Sequence, residues 1–190
     1  MLMGDRTKVL IAETLRSMID ADGIPIGKVR VTSLCKKAGI NAQVFYYHFK
    51  DKYDVAAWMF LQDFRRAFDY DAKPPKTRED LEEMMTVQFE SIWDKREAYR
   101  NLLDDSSQNS LREYVHEYDV ADSLAAFQRS RGDVCLDGRL EYLARYASHG
   151  GIGTTIEWLQ GRIKATPEQM AHYQLITMPP ELVDAHLQSE

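Results

Sequence analysis

The stretch from Val31 to Lys52, VTSLCKKAGINAQVFYYHFKDK, constrains the fold more than any other part of the chain. Leu34, Cys35 and Ala38 give an apolar face at helical spacing behind Thr32, a good N-cap. Gly39 then ends that helix in the left-handed conformation that residues with a Cβ resist. Asn41 caps a second short helix on which Val44, Phe45, Tyr47, His48 and Phe49 supply mixed apolar and aromatic faces. Two short helices joined by a glycine turn read as a helix-turn-helix. Such a unit must bury one face of each helix, which assigns Phe45 and Phe49 to its core and makes Cys35 a small buried hydrophobe rather than a reactive thiol. The first helix of this motif braces against the DNA backbone while the N-terminal residues of the second enter the major groove; here those are Ala42, Gln43 and Val44.

Thr32, the AGIN of 38–41 and the FYYHFKDK of 45–52 together resemble the N-terminal domain of the TetR (tetracycline repressor) family of transcriptional regulators. The longer spelling INAQVFYYHFKDKYDVAAWMF is similar to the branch that includes dihydroxyacetone kinase regulators. The resemblance implies an all-α protein, with an N-terminal three-helix helix-turn-helix DNA-binding domain and a C-terminal helical dimerisation and ligand domain. It implies a homodimer on a double-stranded DNA operator. It also places Tyr46, His48 and Lys52 where family members hold phosphates, and Thr32, Gln43 and Val44 where they approach phosphate or base edges. Ala42 and Tyr47 complete that surface. Each role has a physical reason: a phenol and an imidazole donate to phosphate oxygens, a lysine opening the next helix adds charge, and Gln43 can pair bidentately with adenine. The chain departs from its relatives at Ala42 and Val44, where members of the branch often carry Arg and Thr. Either a charge and a hydroxyl contact are lost there or a different operator is read, and the operator's identity stays open.

The net charge of −6 is unusual for a DNA binder until it is divided along the chain. Residues 1–52 hold nine Lys and Arg against five Asp and Glu, a charge of +4, and the remainder carries −10. This asymmetry puts the attraction for phosphate on the helix-turn-helix end. With 190 residues and 44% hydrophobic content the chain can bury a substantial core. Cys35 and Cys135 lie far apart, no secretory leader pattern opens the chain, and no apolar run approaches the roughly 20 residues needed to span a bilayer, so a cytoplasmic protein with no membrane partner is expected.

The expected division is a helix-turn-helix domain over 1–52, a connecting helix over 53–72 and a helical regulatory and dimerisation domain over 73–190. A first helix runs from about Asp5 to Asp22, with Leu10 or Ile11, Leu15, Met18 and Ile19 inward and Gly23 at its end. Ile24–Arg30 is a loop that brings Lys28 and Arg30 near the duplex. The connecting helix, Tyr53 to Phe68, carries Val55, Trp58, Met59, Leu61 or Gln62, and Phe64 or Arg65 along its length. DAKPPK at 71–76 breaks the chain, because paired prolines cannot continue a helix. TRED at 77–80 caps the next helix. Two more follow at 94–103 and 107–130, and Arg131–Asp133 breaks the chain again. From about Leu136 to Leu159, Leu140, Leu143, Ala147, Gly150 or Gly151, Thr154 and Trp158 share one stripe; with Gly151 as its small central member it is the expected dimer contact. Pro167 opens a further helix behind Thr166, giving two helices per protomer for an intersubunit four-helix bundle. Pro179 and Pro180 end the last regular helix, and the tail is left as a short helix or a frayed end.

For a small-molecule effector, the aromatic residues Phe89, Trp93, Tyr114, Tyr118, Phe127, Tyr142 and Tyr146, with His149, are the candidates to line a pocket. The same residues would serve equally as core, and the branch includes regulators that work through a protein partner instead. An enzyme is not expected. The five histidines show no HExxH or paired metal-ligand spacing, and Glu113 with His116 makes only a lone E-x-x-H, so neither catalytic residues nor a metal or cofactor are expected.

Overall fold

The computed structural model describes residues 3–67, 74–104, 110–131 and 138–187, with side chains described for all of these but 3–5, 64–67, 104 and 131. Among them the secondary structure is entirely helical. In chain order the helices are α1 (Met3–Asp20), a single 3-10 turn (Ile26–Lys28), α2 (Val31–Ala38), α3 (Ala42–His48), α4 (Lys52–Ala67), α5 (Arg78–Asp94), α6 (Arg96–Asp104), α7 (Leu111–Arg131), α8 (Gly138–Leu159), α9 (Pro167–Thr177) and α10 (Pro180–His186). The protein is all-α. Its residues group into two compact units that do not follow chain order: 1–63 with 97–114, and 64–96 with 115–190.

In the first unit α1, α2 and α3 pack on one another in all three pairings. Ile11, Leu15, Met18 and Ile19 of α1 are buried, as are Leu34 and Cys35 of α2, Phe45 and Phe49 around α3, and Val55 and Met59 of α4. The choice left between Leu10 and Ile11 falls to Ile11, since Leu10 is 43% exposed. Gly23 has φ 64° beyond the end of α1, as its position implied. The side chains of Phe64 and Arg65, and the residue Phe68, lie outside the described set.

In the second unit α5 packs along α9. Its helix starts are readable in the sequence. Thr77 and Asp80 exchange bonds as a full capping box, and Thr166 with Gln169 does the same at α9, with Pro167 as the first helical residue. One core cluster joins Ala126 and Phe127 of α7 to Leu140 of α8 and to Leu182 and Ala185 of α10. The tail thus forms a short helix, begun rather than prevented by Pro180. Of DAKPPK, residues 74–76 are described and are not helical, while 71–73 lie outside the described residues; so do Gly132, Asp133 and Cys135.

Candidate nucleic-acid interface

The reader is assembled from local signals that mostly act where the sequence put them. Gly39 takes the left-handed conformation (φ 67°, ψ 29°), and Ile40 N–H reaches back to Cys35 O at 3.0 Å to close the end of α2. Asn41 Oδ1 accepts from Val44 N–H at 2.9 Å and starts α3. Thr32 behaves differently from its expected role as a cap. The helix begins two residues earlier, with extended Arg30 at the N-cap and its carbonyl accepting from Ser33 and Leu34, so Thr32 is an exposed residue of the first turn.

Phe45 is fully buried and Phe49 nearly so, which fixes the roll of α3. Ala42 and Gln43 are then left exposed, with Val44 and His48 half-buried. Tyr46 is 60% and Tyr47 84% exposed. Each ring meets a sequence neighbour edge-on, Tyr46 with Phe45 at 5.3 Å and Tyr47 with His48 at 4.9 Å. Large aromatic rings exposed on a helix that has already satisfied its core are suited to stack or donate to an outside partner.

Lys52 has a task that the sequence did not reveal. Its ammonium donates to Gly27 O at 2.9 Å and Val29 O at 3.0 Å and lies 5.1 Å over the Tyr53 ring, so it ties down the turn that leads into α2. Lys37 pairs with Asp22 across the same unit. Lys28, Arg30, Lys36 and Lys50 are exposed around the two short helices and keep the surface basic.

Residues 79–178 match the family model for the transcriptional regulator C-terminal region of the TetR type. The chain belongs to the TetR family of transcriptional regulators. No curated protein matches the chain. The match covers the region C-terminal to the helix-turn-helix. In this TetR-family regulator no described helix is long and apolar enough to cross a membrane.

The aromatic residues proposed for a ligand fall in several separate places. Phe127 is fully buried in the core cluster. Phe89 meets Trp158 edge-on at 5.5 Å, and Trp93 stacks on Trp158 at 4.8 Å under the Arg96 guanidinium. Tyr114 belongs to the reader's compact unit, and Tyr118 is half-buried on α7. Tyr142 and Tyr146 are both exposed on α8 and stack on each other at 6.2 Å, and His149 stacks at 3.8 Å on His116 of α7.

The expected dimer stripe on α8 is largely used within the protomer. Leu140 is in the core cluster, Leu143 and Ala147 pack against it, and Trp158 is 1% exposed with its indole N–H on Ala165 O at 2.8 Å. Gly151 serves the α8–α9 contact: Gln174 Nε2 donates to Gly151 O at 3.0 Å and to Thr155 Oγ1 at 3.1 Å, and a Cβ on Gly151 would meet Gln174 at 3.4 Å. Of the stripe, Thr154 faces out. The periodicity found an apolar face correctly, but the face it found is covered by α5, α7, α9 and α10 of the same chain. The outward face of α8 carries Tyr142, Tyr146, Gly150 and Thr154, and α9 exposes Tyr173 and Ile176.

A polar group lies between α7 and α8. Ser148 Oγ lies 3.0 Å from His116 Nδ1 and 3.4 Å from Asp119 Oδ2. Asp119 keeps some accessible surface, but its carboxyl group is enclosed by protein, and this burial pushes its pKa up to about 7; the Ser148 hydroxyl works against the rise and Asp122 adds to it. The folded protein therefore holds a proton that the unfolded chain releases near pH 4. Asp119 favours folding below about pH 4, and that contribution is lost as the pH rises to about 7. His116 acts in the opposite sense, because burial and then the His149 ring favour its neutral form, so its contribution is lost as the pH falls below about 6.5. Asp119→Asn should stabilise the second unit by about 2–3 kcal/mol at pH 8 and leave it near wild type at pH 4, the full shift being trimmed for residual solvent access. Denaturant unfolding at the two pH values checks this, and an equal effect at both would contradict it.

Proposed function

We propose that this chain is a homodimeric regulator that binds a pseudo-palindromic DNA operator. The observation that carries the reading is the face of α3: Gln43, Tyr46 and Tyr47 stand exposed, while Phe45 and Phe49 beside them satisfy the core. Thr32, Ala42, Val44 and His48 complete the reading surface, and Lys52 contributes by fixing the turn in front of α2. Functionally, 1–52 is the reader, 53–72 the connecting helix and 73–190 the regulatory and dimerisation region. The partner protomer is assigned to the outward face of α8 and α9, through Tyr142, Tyr146, Thr154, Tyr173 and Ile176. Control comes through the regulatory region, by a small molecule or, as in the dihydroxyacetone kinase regulator branch that the reader resembles, through a protein partner. A cytoplasmic place of action follows.

Selection of genomic duplex fragments with the purified protein tests both halves of the proposal. Inverted repeats with half-sites about 34 Å apart are expected from a twofold dimer. Isolated half-sites would contradict the dimer, and no enrichment would contradict the reader. On a selected fragment, Tyr46→Ala and His48→Ala should each weaken binding by about 1 kcal/mol or more regardless of base sequence. Gln43→Ala should instead relax preference at one base position, by about 1–3 kcal/mol.

A further inference from the structure

We infer that Asn101, on α6, is a positioning residue for the DNA reader; the inference rests on the nucleic-acid function proposed above. The turn in front of α2 is held at both ends. Ile26 N–H, buried and preceded by Pro25, donates to Asn101 Oδ1 at 3.0 Å, and the far end is held by Lys52 Nζ on the Gly27 and Val29 carbonyls. Within the turn Lys28 N–H bonds Pro25 O at 2.8 Å and Val29 N–H bonds Ile26 O at 3.1 Å. Val29 is buried, and the next residue, Arg30, is the N-cap of α2. A displacement at Ile26 is therefore transmitted through a short, hydrogen-bonded segment to the start of the helix that braces the motif.

Asn101 is itself held in place. Two residues before it, the Tyr99 hydroxyl donates to Asp63 Oδ2 at 2.7 Å, and the same oxygen accepts from Arg16 Nη2 at 2.7 Å. The Tyr99 ring also meets Phe60 edge-on at 6.2 Å. These contacts fasten α6 to α1 and α4 and bring Asn101 to the turn. Asn101 belongs by sequence to the region matched as the regulator's C-terminal part, yet residues 97–114 fold into the reader's compact unit. A group supplied by the regulatory region thus completes the reader's scaffold from a site with no place in the DNA-reading surface.

The test uses the full chain with Asn101→Ala and Asn101→Asp, the second retaining an oxygen acceptor. Hydrogen exchange at the Ile26 amide is measured beside Kd for sheared genomic DNA and for the tightest fragment selected from it, well below the thermal midpoint. Asn101→Ala should speed Ile26 exchange and weaken binding, each by about tenfold, and Asn101→Asp should restore both to within about twofold of wild type. Faster exchange with unchanged Kd would mean a purely structural contact and would overturn the inference while leaving the DNA function standing. A wild-type protein that binds neither DNA sample overturns that function and the inference together. If Asn101→Ala does not fold, Tyr99→Phe takes its place: weaker binding by the folded protein supports the inference and unchanged binding overturns it.

Discussion

Phe45→Ala is expected to remove about 3–5 kcal/mol of stability from the reader, the range for deleting a fully buried aromatic side chain. The ring has no exposed surface, lies 6.2 Å from Phe49 and supports the edge of Tyr46, so its loss leaves a cavity at the point where α3 is rolled into position. A reader of this size has little stability to spare, and duplex binding should be lost with the fold. Tyr47→Ala is the control on the same helix. With 84% of Tyr47 exposed, its removal should change stability by no more than about 0.5 kcal/mol. Denaturant unfolding followed by circular dichroism measures both variants, and a loss below about 1 kcal/mol for Phe45→Ala would contradict this assignment of the core.

Trp158→Ala should destabilise the second unit by a similar amount, about 3–5 kcal/mol. The indole is buried, is stacked on Trp93, meets Phe89 edge-on and gives its N–H to Ala165 O just before the cap of α9. Trp158→Phe separates these contributions. It keeps an apolar ring but leaves the Ala165 carbonyl without its donor, which should cost about 1–3 kcal/mol. Thermal unfolding of the two variants would give that order. A small effect for Trp158→Ala, with loss of self-association instead, would return Trp158 to the dimer contact where the sequence pattern placed it.

The difference between those two locations for Trp158 marks what was legible in the chain. Caps and turns were readable because their partners lie within a few residues: Asn41 to Val44, Gly39 at the end of α2, Thr77 with Asp80, Thr166 with Gln169. Buried faces were readable from periodicity, as for Ile11, Leu15, Phe45 and Phe49. Periodicity carries no information about what covers a face, and so the α8 stripe was matched to a second protomer when its own chain covers it. The side chain of Thr32 suits a cap, but Arg30 occupies that position and caps the helix without a side-chain hydrogen bond. The roles of Lys52 and Asn101 depend on backbone groups 23 to 75 residues away, beyond the reach of any local pattern.

The proposed grip of the α3 face on duplex DNA is tested most directly by the equilibrium binding of the intact protein to the tightest selected fragment as salt is raised. Log Kd should rise linearly with log salt, with a slope of about 0.9 for each phosphate neutralised by the exposed basic residues around α2 and α3. A protein that retains no duplex from the pool, or whose binding is indifferent to salt, would contradict it.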